Sequence, residues 1–199
     1  MPLTVNSRDA DHPITPIFLE RWSPRAFDGQ PLPLDDLMTM LEAARWAPSA
    51  SNVQPWRFVY ALKDGPHWEQ FLSILNEGNR LWCVNAGALL LLVSQATREV
   101  AGKGEVPAYT NSHDAGCAWG FLALQATSMG YHAHGMAGID RDRAARELGV
   151  PANFRVEQMI ALGRRADPAT LPESLRAREV PSTRRSLGET AMEGRFRAG

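Results

Sequence analysis

Three clusters of cationic and hydroxyl side chains stand out in this chain of 199 residues. The first, "ERWSPRAF", places Arg21, Ser23 and Arg25 at alternate positions. Alternate side chains of an extended segment point the same way, so two guanidinium groups and a hydroxyl would surround one anion. Each charge-assisted hydrogen bond to that anion would contribute about 1.5–3 kcal/mol. A solvated basic turn is the alternative interpretation of this spacing.

The second cluster lies near the C-terminus in "PSTRRSL", which supplies Ser182, Thr183, Arg184 and Arg185. Hydroxyl and guanidinium groups at this density suit a phosphate group. This cluster is weaker evidence for an anion site than the first cluster, because C-terminal tails are often basic.

The third cluster is uncharged and lies in "WAPSASNVQPW", between two prolines. Ser49, Ser51, Asn52 and Gln54 offer hydroxyl and amide groups. Such groups suit a polyol or the edge of a heterocycle. A short connection between two apolar elements rarely needs so many hydrogen-bonding side chains.

Other familiar chemistry is missing from the sequence. There is no phosphate-binding GxxxxGK[ST] loop, and "GKGEVP" lacks the third glycine of a dinucleotide-binding motif. Neither a GxSxG nucleophile elbow nor an HExxH zinc motif is present. His113 and Cys117 could share a helix face as metal ligands, but no second pair accompanies them, and we expect no metal. His132 and His134 would share one face of a strand, and a solvated or satisfied pair is the favoured interpretation.

Composition points to an ordinary globular domain. The chain is 44% hydrophobic and 22% charged, with a formal net charge of −1. This balance argues against nucleic acid or a membrane surface as a partner. The two cysteines lack CxxC spacing and read as reduced core thiols. No secretory signal is evident in residues 1–16, and the apolar run 86–93 is too short to cross a bilayer, so we expect a cytoplasmic protein.

Periodicity predicts the elements that must position these clusters. Helical spacing of apolar residues predicts a helix over 34–47, which Pro48 would end. An unbroken apolar stretch over 86–96 predicts a strand covered on both faces. Asp114 is predicted to cap a long helix that ends at Gly130. The remaining predictions are strands over 56–62, 131–137 and 156–163, helices over 67–75 and 140–148, a turn in "NEGNRLW", an exposed loop over 100–112 and a tail over 164–199.

Helices that alternate with a few buried strands predict a single α+β domain over residues 1–199. Five blocks then occur in order along the chain: "RWSPRAF", "MLEAARWAPSASNVQPW", "GNRLW", "HDAGCAWGFLALQATSMGYHAHGMAGID" and "RRSL". In this order and spacing the chain resembles the FMN-dependent nitroreductase family. The resemblance implies a mixed, mainly antiparallel sheet flanked by helices and an intertwined homodimer with two FMN molecules at the interface. Residues 164–199 would form an arm that wraps the partner subunit.

The resemblance also implies roles for particular residues. Arg21 and Ser23 would lie near the FMN phosphate, with Arg184 and Arg185 completing the charge, and Arg25 would approach the pyrimidine edge of the ring. Asn79 could match that edge with a donor and an acceptor. A backbone N–H near Ala137 or Gly138 would be directed at flavin N5. The full implied cofactor set is Arg21, Trp22, Ser23, Arg25, Pro48, Ser49, Ala50, Ser51, Asn52, Asn79, Gly135, Met136, Ala137, Gly138, Arg184 and Arg185.

The activity implied by the resemblance is hydride transfer from NAD(P)H through flavin N5 to a nitroaromatic, a quinone or a similar small acceptor. One site used twice implies ping-pong kinetics, and no catalytic side chain is expected because the flavin carries the chemistry. Two alternatives stay open. The same fold could serve enone reduction, dehalogenation or ring cleavage, or the chain could bind flavin without turnover.

Overall fold

The computed structural model describes residues 8–197. Part of the N-terminal stretch in which no secretory signal is expected, and the last two residues of the predicted arm, lie outside that range. Six strands form in the described part of the chain: β1 (Trp56–Leu62), β2 (Ala88–Gln95), β3 (Thr97–Val100), β4 (Gly104–Pro107), β5 (His132–Met136) and β6 (Phe154–Gly163). Four of them build one antiparallel sheet in the order β1-β2-β6-β5, and β3 and β4 pair as a separate hairpin.

Eight α-helices accompany the strands within residues 8–197: α1 (Ile17–Glu20), α2 (Leu34–Arg45), α3 (Trp68–Ile74), α4 (Glu77–Cys83), α5 (Asn111–Ser128), α6 (Arg141–Glu147), α7 (Glu173–Arg176) and α8 (Leu187–Thr190). Short 3₁₀ turns occupy Ala50–Asn52 and Pro168–Thr170. The predicted α+β class with a mainly antiparallel, helix-flanked sheet is confirmed. Among the described residues, no helix has both the length and the apolar character needed to cross a membrane.

The central sheet is covered on both faces, as the apolar run of β2 predicts. Leu89 and Leu91 pack into one core with α3, α4 and α6, whereas Leu90 and Leu92 pack into a second core with α2 and α5. All four leucines are at most 1% exposed. Each such side chain contributes about 1.5–3 kcal/mol through its burial. The sheet is therefore the rigid element to which the connecting loops are attached.

Two helix predictions need correction. The segment "NEGNRLW" is not a turn, because the side chain of Asn76 accepts a hydrogen bond from the Asn79 N–H and caps α4. Gly78 is tolerated inside that helix. Asp114 is not the cap of α5, which begins earlier at Asn111, so this carboxylate lies inside the first turn. The cap predicted at Asp140 and the left-handed Gly130 are confirmed, the latter with φ of 78°.

The predicted loop over 100–112 is also partly wrong, since β4 pairs with β3 and α5 begins at Asn111, so that only residues 101–103 and 108–110 lie outside strands and helices. Gly102 and Gly104 allow the reversal because both adopt positive φ, 77° and 68°. Helix α2 ends at Arg45, two residues before the predicted boundary, and Pro48 follows it. The turn between β3 and β4 and the end of α2 were misplaced because the conformations of Gly102, Gly104 and Pro48 depend on the neighbouring backbone.

The C-terminal tail lies against the N-terminal segment of the same chain. Arg8 Nε donates to the Ser182 carbonyl at 2.9 Å, and the Leu187 N–H donates to Asp11 Oδ2 at 3.2 Å. Leu171 is buried, whereas Phe196 is 85% exposed. The first part of the tail therefore folds onto its own chain, and the later Phe196 faces solvent.

Gly87 is expected to tolerate no side chain. An added Cβ would lie 2.6 Å from the Gln30 carbonyl oxygen and 3.0 Å from the Leu32 nitrogen, both backbone atoms. Gly87→Ala should lower the free energy of unfolding by about 1–3 kcal/mol, measured by urea denaturation of the cofactor-free protein. Gly78→Ala is the control, because its Cβ meets only Asn76 Oδ1 at 3.8 Å. The control should be neutral or stabilising by up to about 1 kcal/mol. Equal effects of the two substitutions would contradict this packing.

Candidate functional site

A basic cavity of about 310 Å³ opens between the segment after α1 and the C-terminal tail. The segment after α1 is extended and leads to a bridge between Phe27 and Arg165, which attaches it beside the sheet. Arg21 Nη1 lies 3.4 Å from Ser23 Oγ, so these alternate side chains do share one side. The cavity is lined by Arg8, Arg21, Trp22, Ser23, Arg25, His134, Arg178, Val180, Ser182 and Arg184.

Positive charge in this cavity is not balanced by carboxylates in its lining, as far as residues 8–197 are concerned. Burial lowers the pKa of Arg21, and the neighbouring Arg184 lowers it further. Burial also lowers the pKa of Arg25, Arg178 adds to this, and Glu179 opposes it. Arginine stays protonated despite such shifts. The lowered pKa values of Arg21 and Arg25 indicate that neighbouring guanidinium groups repel each other in this cavity. A bound anion would relieve that repulsion.

Glu179 fixes the backbone at one side of the cavity. It is 6% exposed, and its carboxylate accepts hydrogen bonds of 2.9–3.0 Å from the Arg25 and Ala26 N–H groups. The tail thereby holds Arg25 in place. Because the oxygens of Glu179 are engaged by backbone groups, its main structural role is to position the segment.

His134 adds a neutral imidazole to the cavity wall. Its Nδ1 lies 2.9 Å from the Pro24 carbonyl oxygen, so Nδ1 carries the proton and donates. Burial lowers the pKa of His134 to about 4, the Pro24 hydrogen bond raises it, and Arg25 lowers it. The centroid of the His134 ring also lies 4.7 Å from that of the buried Trp82 ring, and the two planes are tilted by 38°. His132 has its pKa lowered to about 4 as well, through burial and then Arg165.

The loop after α2 forms a separate polar surface. Ser51, Asn52 and Gln54 adopt positive φ values of 51°, 55° and 49°, which is uncommon outside glycine. Ser49 Oγ accepts a hydrogen bond from the Gln54 N–H at 3.0 Å, and the Ala50 N–H donates to Asp114 Oδ2 at 3.2 Å. Pro48 and residues 50–52 are exposed. The loop does not line the basic cavity; its end at Gln54 borders a second cavity of about 550 Å³.

Asn79 and the end of β5 form a third, closely packed unit. Asn79 Nδ2 donates to the Gly138 carbonyl at 3.0 Å. A Cβ on Gly138 would lie 2.4 Å from Asn76 Nδ2, and one on Gly135 would lie 2.6 Å from Gln158 Oε1. A side chain at either glycine would therefore displace the amide group of Asn76 or Gln158. Met136 is buried against the Cys83 sulfur at 3.3 Å, so its side chain faces the core.

The structure thus brings together Arg21, Trp22, Ser23, Arg25 and Arg184, as predicted, around one cavity. The other residues of the predicted set are not in the lining of that cavity: Pro48, Ser49, Ala50, Ser51, Asn52, Asn79, Gly135, Met136, Ala137, Gly138 and Arg185.

Sequence reasoning missed Arg8, Arg178 and His134, which also line the cavity. Arg178 could have been considered because the tail over 164–199 is rich in arginine. His134 could have been considered because it directly precedes Gly135, a residue of the predicted cofactor set. His113, considered as a metal ligand with Cys117, instead lies 3.2 Å from Asp114 Oδ1. Within residues 8–197, no three His, Cys, Asp or Glu side chains are grouped to hold a metal ion.

Comparison with known proteins identifies the fold. Residues 19–80 match the model of the nitroreductase family. A crystal structure described as an oxidoreductase containing FMN is 49% identical, superposes with a TM-score of 0.96, and the match covers 98% of this chain and 99% of that one. A nitroreductase-fold protein from Desulfovibrio desulfuricans, solved in complex with FMN, is 23% identical with a TM-score of 0.70 over 94% of this chain and 100% of that chain.

One relative also carries a cofactor in its name. A Streptococcus pyogenes protein named as a candidate NAD(P)H nitroreductase is 48% identical over 58 residues, which is 29% of either chain. The antiparallel sheet flanked by helices defines an α+β protein of nitroreductase fold. The chain belongs to the nitroreductase family.

Acid should destabilise the protein through His134. Its pKa is about 4 in the folded chain and 6.5 ordinarily, so between these values the unfolded chain binds a proton that the folded chain does not. The free energy of unfolding therefore falls as the pH drops from 6.5 to 4. His134→Gln should make the slope shallower by up to about 1.4 kcal/mol per pH unit. Urea denaturation at pH 4.5–7 measures this, and an unchanged slope in the variant would contradict the assignment.

Proposed function

We propose that this protein is an FMN-dependent oxidoreductase whose basic cavity holds the phosphate of the cofactor. The observation that carries the proposal is the convergence of Arg21, Arg25, Arg178 and Arg184 on one cavity without a lining carboxylate among the described residues. The relative at 49% identity that contains FMN supports the same conclusion. Guanidinium forks match phosphate oxygens in geometry as well as charge.

The residues present fit a phosphate monoester. Burial and then the nearby Arg184 lower the pKa of Arg21, and a phosphate dianion beside Arg21 would oppose that effect. Ser23 supplies a hydroxyl beside Arg21, and its O–H can donate to a phosphate oxygen. Arg25, fixed by Glu179, lies on the side that we assign to the pyrimidine edge of the flavin. Arg185 contributes long-range charge from the adjoining tail.

The polar loop and the glycine unit complete the proposed site across two subunits. We assign a homodimer in which Pro48, Ser49, Ala50, Ser51 and Asn52 face the FMN bound mainly by the partner. Trp46, just before this loop, is 70% exposed, and in the tail Val180 is 62% and Phe196 85% exposed. Large apolar side chains left outside the core in this number are typical of an interface. In the proposed dimer, the part of the tail after residue 187 would cover apolar side chains of the partner subunit. Residues 182–187 would stay against their own subunit.

When bound, FMN would supply two-electron redox chemistry between NAD(P)H and a nitroaromatic, quinone or similar acceptor, with the ping-pong kinetics of one site used twice. The protein's own contribution is to bind and orient. Ala137 is exposed at the end of β5, and a backbone N–H near Ala137 or Gly138 is the proposed donor to the flavin ring. Asn79 fixes that segment through the Gly138 carbonyl.

The visible spectrum of the purified protein tests the cofactor. We expect a yellow protein whose flavin absorbance bleaches when NADH or NADPH is added under argon and returns with menadione or nitrofurazone. A colourless protein that fails to bind added FMN would overturn the proposal. A flavin that binds but is never reduced would show a binding protein without turnover.

Removing one cavity arginine should weaken FMN binding specifically. Arg21→Ala should raise the FMN dissociation constant by about 10- to 100-fold, because a charge-assisted hydrogen bond contributes about 1.5–3 kcal/mol. Arg98→Ala is the control, because it removes the same charge from the exposed part of β3. It should change the FMN dissociation constant by less than about twofold. Fluorescence titration of cofactor-free protein measures both. Comparable effects of the two substitutions would argue against a phosphate held in this cavity.

A further inference from the structure

Asp114 is a buried carboxylate that the redox reaction does not use. It lies in the first turn of α5 and is 3% exposed. Its Oδ2 accepts hydrogen bonds from the Ala50 N–H at 3.2 Å and from Thr110 Oγ1 at 3.0 Å, and its Oδ1 lies 3.2 Å from His113 Nδ1. One side chain therefore joins the polar loop, the end of the β4–α5 connection and its own helix.

The polar loop depends on this contact for its attachment. Inside the loop, the Asn52 N–H bonds to the Ser49 carbonyl at 3.0 Å and the Val53 N–H bonds to the Ala50 carbonyl at 3.2 Å. These local bonds close the turn but do not attach it to the body of the protein. For residues 49–53, the Ala50 to Asp114 hydrogen bond is the one that reaches a distant element in the described chain.

The backbone of the loop also needs an external restraint. Ser51 and Asn52 are in the left-handed region, at φ of 51° and 55°. Residues in such conformations cost of order 1 kcal/mol each and persist when the surroundings fix them. Ser49 Oγ fixes one end of the turn through the Gln54 N–H, and Asp114 fixes the other. Without Asp114, the turn would keep its local bonds but lose its fixed position relative to α5.

We propose that Asp114 is a positioning residue for the cofactor: it holds the turn Ser49–Asn52 against α5, so that the polar groups of the turn are presented to FMN in a fixed arrangement. This inference rests on the proposed function, because it takes the loop as a wall of the FMN site. Asp114 itself does not touch the cofactor. Its effect passes through the Ala50 N–H.

The competing explanation is a general role at the end of a helix. An acidic side chain in the first turn favours the positive end of the helix dipole whatever the loop does. Thr110 separates the two explanations, since its hydroxyl binds the same Oδ2 atom from the helix end and does not contact the loop. Thr110→Val is therefore the matched control for Asp114→Ala.

The test begins with FMN titration of cofactor-free protein. Asp114→Ala should weaken FMN binding about tenfold, which corresponds to about 1.4 kcal/mol. Asp114→Asn keeps an oxygen that can accept from Ala50 and should stay within about threefold of the parent protein. Thr110→Val should stay within about twofold. If Asp114→Ala does not fold, Asp114→Ser replaces it, because a serine hydroxyl is too short to reach Ala50 and the same tenfold loss is expected.

Backbone hydrogen exchange over residues 48–55 supplies a readout that needs no cofactor. Exchange in cofactor-free protein should be faster in Asp114→Ala than in the parent, and unchanged in Thr110→Val. Loss of FMN affinity in Thr110→Val equal to that in Asp114→Ala would overturn the inference, and so would normal exchange and affinity in folded Asp114→Ala. If the parent protein binds no FMN, the proposed function fails, and the exchange comparison still decides whether Asp114 restrains the loop.

Discussion

Guanidinium groups from both ends of the chain converge on one small cavity, and the fold has to hold them there against their mutual repulsion. Burial already makes each charge more costly than in water, as the lowered pKa values of Arg21 and Arg25 indicate. The cost is offset in part by Glu179, which anchors the backbone of the N-terminal segment from the tail. Arg8 links the two chain ends through the Ser182 carbonyl, whereas the repulsion between Arg21 and Arg184 would be relieved by an anionic ligand.

The central sheet, which has a hydrophobic core on each face, explains how the arginine cluster is held in place. Both cores of the protein are built on β2 and β6, and the segment carrying Arg25 is attached to the end of β6 through the Phe27 to Arg165 bridge. Strand β5, at the sheet edge, carries His134 into the cavity and leads directly to the packed glycines. The most rigid part of the molecule therefore positions its basic wall. The polar loop is attached to the body of the protein by fewer contacts, among them the hydrogen bond from the Ala50 N–H to Asp114.

Local signals in the sequence were sufficient for the four strands of the central sheet and for part of the site, but not for α4 or the β3–β4 hairpin. Strand β1 was predicted over its observed range, because Pro55 and strand-forming residues fix both its start and its character. Arg21, Ser23 and Arg25 were predicted as a group because an extended segment has a simple period of two. Arg8 and Arg178 were missed because their arrival at the cavity depends on how the two chain ends cross, which no local pattern encodes. Asp114 was misread as a cap for a related reason: its partner, Ala50, comes from a distant loop.

Binding of FMN compared with riboflavin tests the central claim most directly, because the two molecules differ only in the phosphate group. Calorimetric titration of the cofactor-free protein should show FMN binding at least about 100-fold more tightly, as expected from two or more charge-assisted hydrogen bonds to phosphate. The preference should shrink in high salt, where exposed charge is screened. Equal affinity for FMN and riboflavin would contradict the assignment of the arginine cavity as a phosphate site.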